Sequence, residues 1–288
     1  MGSSVQTPPR AILFATDLSA RCDRALDRAV LLARQHQAKL VVLHVLESGL
    51  VDSLTLPTWR RNVKDQQKLA QERLTQDLQG VDVQVEVVVE TGKPVDVIEK
   101  VAQAHGAGLI VSGIARDETL GRIVLGTTVE KLVRQSDIPV LVVKSRAQRP
   151  YATVLAATDF SEGSRQSVRI GRALAPEASL SLFHAFDIPT RGAGSEGVNS
   201  EILQERAEAK AAEFIAGTPE LANAKPEVIY ELGQPDVKLP AYVLKHPVDL
   251  VVAGTHGATG ILRTALGSVA EGLLASLPTD VLVVRQRG

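Results

Sequence analysis

The residues best placed to do chemistry lie between Leu250 and Glu271, in the stretch LVVAGTHGATGILRTALGSVAE. An apolar run ending at Ala253 reads as a buried strand. Gly254, Gly257 and Gly267 follow it at fixed spacing, the last leading into Ser268 and a helix-compatible run from Val269. The pattern is GxxG, nine residues, then G[ST]. Gly254 and Gly257 lack a Cβ, so the backbone can turn sharply after the strand and a bulky anion can approach the main chain. Gly267 and Ser268 fall where a helix should begin, and a helix start offers unpaired N–H groups at the positive end of a dipole. Together these features make an anion site, most naturally for phosphate. His256, inside the loop, either touches that anion or faces water.

An earlier stretch, Leu109 to Glu130, repeats the plan as LIVSGIARDETLGRIVLGTTVE. Gly113, Gly126 and Thr127 are in register with Gly254, Gly267 and Ser268, but Arg116 stands where the later copy has Gly257. A side chain there crowds a triphosphate approaching the backbone, although a guanidinium can also bind an anion directly.

The elements that must hold these loops repeat as well. In the first half, Ala11–Ala15 reads as a buried strand ending in Thr16-Asp17-Leu18-Ser19, with Ser19 expected to cap a helix that repeats Cys22, Leu26, Val30 and Ala33. A strand over Leu40–Leu46 carries His44, and a polar helix over Trp59–Gln79 precedes a strand over Val83–Glu90. Gly92-Lys93-Pro94 turns into a helix with proline at its first position. Leu109–Ser112, a helix over Thr127–Gln135 and a strand over Ile138–Lys144 complete the set. After a basic joint at Ser145–Pro150 come the equivalents: Thr153–Ala157 with Thr158-Asp159-Phe160-Ser161, Ser179–Phe186 with His184, and a Gly- and Ser-rich loop over Thr190–Asn199. A helix over Ser200–Ala216, a strand over Glu227–Glu231, the Gly233-Gln234-Pro235 turn and a last strand over Val281–Val284 follow. Solid apolar strands alternating with helices imply an α/β fold with parallel sheets covered on both faces. The chain therefore reads as two tandem doubly wound domains of five strands each, residues 9–145 and 151–286.

Composition limits the partners. The 288 residues are 44% hydrophobic and 23% charged, as in ordinary globular chains. Net charge is −1 and aromatics are 3%, so neither a basic field nor stacking platforms suggest nucleic acid. No apolar run reaches the roughly 18 residues of a membrane span, and the N-terminal stretch has no apolar leader core, so no membrane partner is expected. The one cysteine, Cys22, permits no intrachain disulfide and fits a cytoplasmic location. It reads as a helix packing residue, with a redox-sensitive thiol as the sharper alternative. Cysteine and histidine lack metal-ligand spacing, and neither GxxxxGK[ST] nor GxGxxG is present.

In these residues the chain resembles a tandem universal stress protein, with the GxxG-x9-G[ST] signature complete in the second copy and degraded in the first. The resemblance covers nearly the whole chain and implies two Rossmann-like, adenine-nucleotide-binding domains. In that family the aspartate after the first strand contacts adenine and ribose, the residue after the second-strand histidine lines the base, and the glycine loop holds phosphates. Carried over, the second-copy set is Asp159, Ala185, Gly254, His256, Gly257, Gly267, Ser268 and Val269. The first-copy set is Asp17, Val45, Gly113, Arg116, Gly126 and Thr127. Asp17 and Asp159 can equally be turn caps, and His44 and His184 read as strand-end structural histidines. The resemblance implies ATP, with ADP or AMP as variants and Mg²⁺ beside it, bound in the second domain of a stress-response regulatory protein with no catalytic residues. A scaffold with vestigial sites that binds another small ligand, or a slow ATPase, is the alternative. It also implies an intrachain pseudo-dimer through Val140–Val143 and Val281–Val284, with a further homodimer left open.

Overall fold

Runs such as AILFAT and VLVV leave no polar face for water, and they form strands of a parallel sheet. The computed structural model describes residues 8–47, 63–117, 122–124, 126–186, 200–222, 224–255 and 268–285. These divide into two compact units, Pro8–Leu132 with Ile138–Pro150, and Tyr151–Gly288 with Val133–Asp137.

In the first unit the strands are β1 (Ala11–Thr16), β2 (Lys39–Leu46), β3 (Val85–Thr91) and β4 (Leu109–Gly113). A short antiparallel ribbon, β5 (Ala115–Asp117) with β6 (Arg122–Val124), precedes β7 (Val140–Val143). The parallel order is β7-β4-β1-β2-β3. Helices α1 (Asp23–His36), α2 (Val63–Asp77), α3 (Pro94–Ala104) and α4 (Thr127–Gln135) make the crossovers. Ile12, Leu13 and Phe14 on the central strand are at most 1% exposed. Each contributes about 1.5–3 kcal/mol by burial.

The second unit repeats this programme with β8 (Thr153–Ala157), β9 (Ser179–Phe186), β10 (Val228–Leu232), β11 (Leu250–Gly254) and β12 (Asp280–Val284). Their order is β12-β11-β8-β9-β10, all parallel. Its helices are α5 (Glu162–Leu174), α6 (Ser200–Ala216), the short α7 (Pro219–Ala222), α8 (Pro235–Val243) and α9 (Ser268–Ser276). Asp249 anchors the start of β8, its Oδ2 accepting from Ala152 N at 2.7 Å and Thr153 N at 3.1 Å.

Several local expectations are corrected. Ser19 makes no side-chain cap, because a 3-10 turn over Ala20–Cys22 delays the start of α1. The buried stripe is consequently Ala25, Ala29, Leu32 and Ala33, with Leu26 and Val30 only half-buried. Its counterpart Ser161 does cap α5, accepting from Ser164 N at 3.2 Å. Strand β3 begins at Val85 rather than Val83, and the first-copy signature loop contains the β5–β6 ribbon, which the sequence did not suggest. The start expected for α2 at Trp59 and the loop over Thr190–Asn199 lie outside the described residues.

Candidate functional site

In each sheet the chain steps one way from its first strand and later returns to the other side, so the strand order reverses beside β1 and beside β8. Ligands of open parallel sheets sit beyond the strand ends at that point. Each unit places the same four-residue turn there, Thr16-Asp17-Leu18-Ser19 and Thr158-Asp159-Phe160-Ser161.

The turn is held by its own side chains. Leu18 and Phe160 both have φ of 62°, a left-handed conformation that costs a non-glycine residue about 1–2 kcal/mol. Two side-chain bonds bracket each of them. Thr16 Oγ1 accepts from Leu18 N at 3.0 Å and Asp17 Oδ1 from Ser19 N at 2.9 Å. Thr158 Oγ1 accepts from Phe160 N at 2.9 Å and Asp159 Oδ1 from Ser161 N at 3.0 Å. The aspartates are therefore turn caps, and the caps fix where their carboxylates stand. In the first unit the Cys22 thiol also donates to Asp17 Oδ1, at 3.2 Å. Burial alone would raise the Asp17 pKa, but the hydrogen bonds from Ser19 and Cys22 outweigh it and hold the carboxyl below its ordinary value. Burial raises the Cys22 thiol, which stays a protonated donor.

The strand-end histidines have the structural role expected of them. Nδ1–H of His44 donates to the Thr16 carbonyl at 2.9 Å, and Nδ1–H of His184 to the Thr158 carbonyl at 2.8 Å. A carbonyl only accepts, so Nδ1 carries the proton in each ring. His184 also lies 4.5 Å from the Phe160 ring, and Phe160 lies 5.6 Å from Phe214. Burial lowers the His184 pKa below 6.5, more than its bond to Thr158 raises it. Unfolded His184 then binds protons more readily than folded, so stability is full above pH about 6.5 and falls as pH drops through the window below it. We expect His184→Asn, which keeps a donor to Thr158, to flatten acid destabilisation between pH 7 and 5, measured as urea midpoints. An unchanged slope would assign it to other groups.

Around the first turn a cleft of about 220 Å³ opens beyond β1, β2 and β4. Leu43, Val45, Ile98, Ile114 and Val129 give it apolar walls, and Asp17, Arg21, His44, Glu47 and Thr128 add polar groups. Of the expected first-copy residues it gathers Asp17, Val45, Gly113 and Gly126. Thr127 is exposed and does not line it, because α4 turns Thr128 and Val129 toward it instead. The Arg116 backbone pairs with Ile123 in the ribbon. A Cβ on Gly113 would meet Arg21 O at 3.3 Å and Cys22 Cα at 3.6 Å, so this glycine lets the 3-10 turn close on the end of β4. Cys22, Ile98 and Thr128 were missed. Ile98 carried a signal, since it lies one helical turn beyond Pro94, which also lines the cleft.

In the second unit Asp159 follows the end of β8, Ala185 lies on β9 and Gly254 ends β11. Ser268 is the first residue of α9 and Val269 the second. His256, Gly257 and Gly267 lie outside the described residues. Among the described residues no group of three His, Cys, Asp or Glu could hold a metal ion, and no helix is long and apolar enough to cross a membrane.

A family model, the universal stress protein family, matches the chain twice, over residues 9–144 and 150–285. This chain belongs to the universal stress protein family. A universal stress protein of Mycolicibacterium smegmatis is 28% identical over 313 residues, spanning 96% of this chain and 97% of its own length. One from Mycobacterium tuberculosis is 27% identical over 293 residues, with the same coverage of 96% and 97%. Among solved structures, a universal stress protein from Pseudomonas aeruginosa superposes with a TM-score of 0.67 at 26% identity, over 96% of this chain and 93% of that one. One from Archaeoglobus fulgidus, 19% identical with a TM-score of 0.67 over 96% of this chain and 99% of its own, shares the fold. The first match spans β1–β7 and the second β8–β12.

Proposed function

We propose that this universal stress protein is a nucleotide-binding regulator that holds one ATP, with Mg²⁺, in its second domain. The observation that carries this reading is the repeated construction at the strand-order reversal. Both domains build the Thr-Asp turn, the strand-end histidine contact and a strand-terminal glycine in the same places, and in the first domain these border an open cleft. The second domain adds the full signature, with Gly257 where the first has Arg116. Asp159 would take ribose or adenine donors, Ala185 would line the base, and Gly254, His256, Gly257 and Gly267 would let phosphates reach the main chain. Ser268 and Val269, at the start of α9, would add helix N–H groups. Mg²⁺ would come with the triphosphate rather than from a preformed protein site, which suits an ion that keeps several waters.

Native mass spectrometry tests this directly. Protein mixed with Mg-ATP is expected to gain one nucleotide mass per chain, and Asp159→Ala to weaken that binding about tenfold, the value of a lost hydrogen bond to a charged acceptor. Absence of any nucleotide adduct, or equal retention by Asp159→Ala, would sink the reading.

A further inference from the structure

On one helix the second domain turns an apolar stripe outward where the first turns polar groups. Leu244, the C-cap of α8, and Val237 are the two most exposed large hydrophobic side chains among the described residues, at 74% and 63%. Ala241 is exposed between them, and the spacing puts all three on one face of the helix. With Gly233-Gln234-Pro235 aligned on Gly92-Lys93-Pro94, the residues Val237, Pro240, Ala241 and Leu244 take the places of Asp96, Glu99, Lys100 and Gln103 on α3. Four polar positions are thus apolar in one domain only. The other sides of α8 are occupied. Leu239 and Val243 are buried, a Cβ on Gly272 of α9 would meet Asp236 Cβ at 3.4 Å, and Lys238 Nζ lies 3.3 Å from Glu231 Oε2. The stripe therefore runs between α9 and the Glu231–Lys238 pair, and is itself open.

We propose that this stripe pairs with the same stripe of a second copy of the chain, the two α8 helices lying antiparallel about a two-fold axis at Pro240–Ala241. The residues are self-complementary in that arrangement. Val237 and Leu244 lie equally far from the midpoint, so each Val237 meets Leu244 of the other copy, and the small Ala241 lets the helices approach at the centre. A two-fold axis between antiparallel helices also sets each flank beside the same flank of the other copy. Lys245 follows Lys238 by two helical turns and so shares its flank, and it joins no ion pair among the described residues. Pairing brings it to Glu231 of the other copy, where opposite charges meet. Because one domain alone carries the stripe, a self-contact uses it up and closes at two copies. The nine residues of α8 span only about 14 Å, so the dimer is of the weak, concentration-dependent kind.

Sedimentation velocity across a dilution series without nucleotide reads this. The chain is expected to pass from monomer to dimer as concentration rises. Val237→Asp with Leu244→Gln, which restores the first-domain residue types on an exposed face, is expected to weaken the dimer at least about thirtyfold without lowering the melting midpoint. Lys245→Glu, which turns two attractive contacts repulsive, is expected to weaken it about fivefold. Cross-linking in a Cys22→Ser background reads the geometry. Ala241→Cys lies beside the axis and is expected to form an intermolecular disulfide, the two thiols giving two electrons and two protons to dioxygen under copper–phenanthroline catalysis. Lys245→Cys, whose two copies would stand about 13 Å apart, is expected not to. A chain that stays monomeric at every concentration, or a dimer that survives Val237→Asp with Leu244→Gln, overturns the proposal and leaves the stripe to a different protein. Cross-linking through Lys245→Cys in place of Ala241→Cys overturns the antiparallel pairing. With nucleotide absent throughout, neither result bears on ATP in the second domain.

Discussion

Gly257→Arg is expected to abolish ATP binding to the second domain, weakening it at least about a hundredfold, or about 2.8 kcal/mol. The substitution is one the chain has already made, since Arg116 occupies the corresponding position in the first copy. A Cβ and a guanidinium at a glycine that should face phosphate fill the space of the triphosphate and replace main-chain contacts with a flexible side chain. Stability should stay within about 0.5 kcal/mol, because the sequence places Gly257 in a glycine-rich stretch rather than in an apolar run, and substitutions away from core positions usually cost little. Calorimetry with Mg-ATP and a urea melt on the same variant measure both quantities. An affinity within threefold of the parent, with folding intact, would mean that phosphate does not pass this residue and that the signature has another purpose.

Gly171→Leu is expected to cost the second domain about 3 kcal/mol, a fall of about 10 °C in its melting midpoint. Gly171 lies on the buried face of α5, where a Cβ would sit 2.8 Å from Val252 Cγ2 and 3.3 Å from Cγ1. Val252 is 0% exposed on the interior strand β11, and a β-branched side chain has no alternative rotamer into which to retreat. Leucine favours helix over glycine by about 1 kcal/mol, which offsets only part of the overpacking. The decisive control is the double variant Gly171→Leu, Val252→Ala, which opens the contact and should recover more than half of the loss. If the double variant is less stable than Gly171→Leu alone, the cost arises elsewhere in the helix and the close approach of α5 to β11 is not its cause. Because β11 carries Gly254 at its end, a shift of this strand would also displace the start of the second signature, so ATP affinity should fall with stability.

How far the molecule was legible depended on whether a feature is local. Strands such as Thr153–Ala157 and Ser179–Phe186 and the helix over Ser200–Ala216 were bounded correctly, since burial on both faces requires unbroken apolar runs and helix composition is read residue by residue. Ser161 and Ser19 look identical in sequence, yet one caps a helix and the other does not. The difference lies in the 3-10 turn at Ala20–Cys22, and a pattern of residue types does not register a three-residue delay. The histidines read as strand-end residues in the sequence, but only the structure shows that each ring binds the carbonyl of the threonine beginning the neighbouring turn. The first-copy loop was read as a degraded glycine turn. Its β5–β6 ribbon emerges from residues that carry no strong strand period.

By itself, the sequence determined the repeated α/β programme, the order of its elements, the family and the signature at Gly254, Gly257, Gly267 and Ser268. These depend on side-chain type and spacing along the chain, which are local quantities. Only the tertiary structure decided that Leu43, Val45, Ile98 and Val129 converge on one cleft, that Cys22 donates to Asp17, and that Gly171 lies against Val252. Those contacts join residues from different elements. They depend on strand register and on which face each helix turns to the sheet, and both are settled by packing the whole core at once.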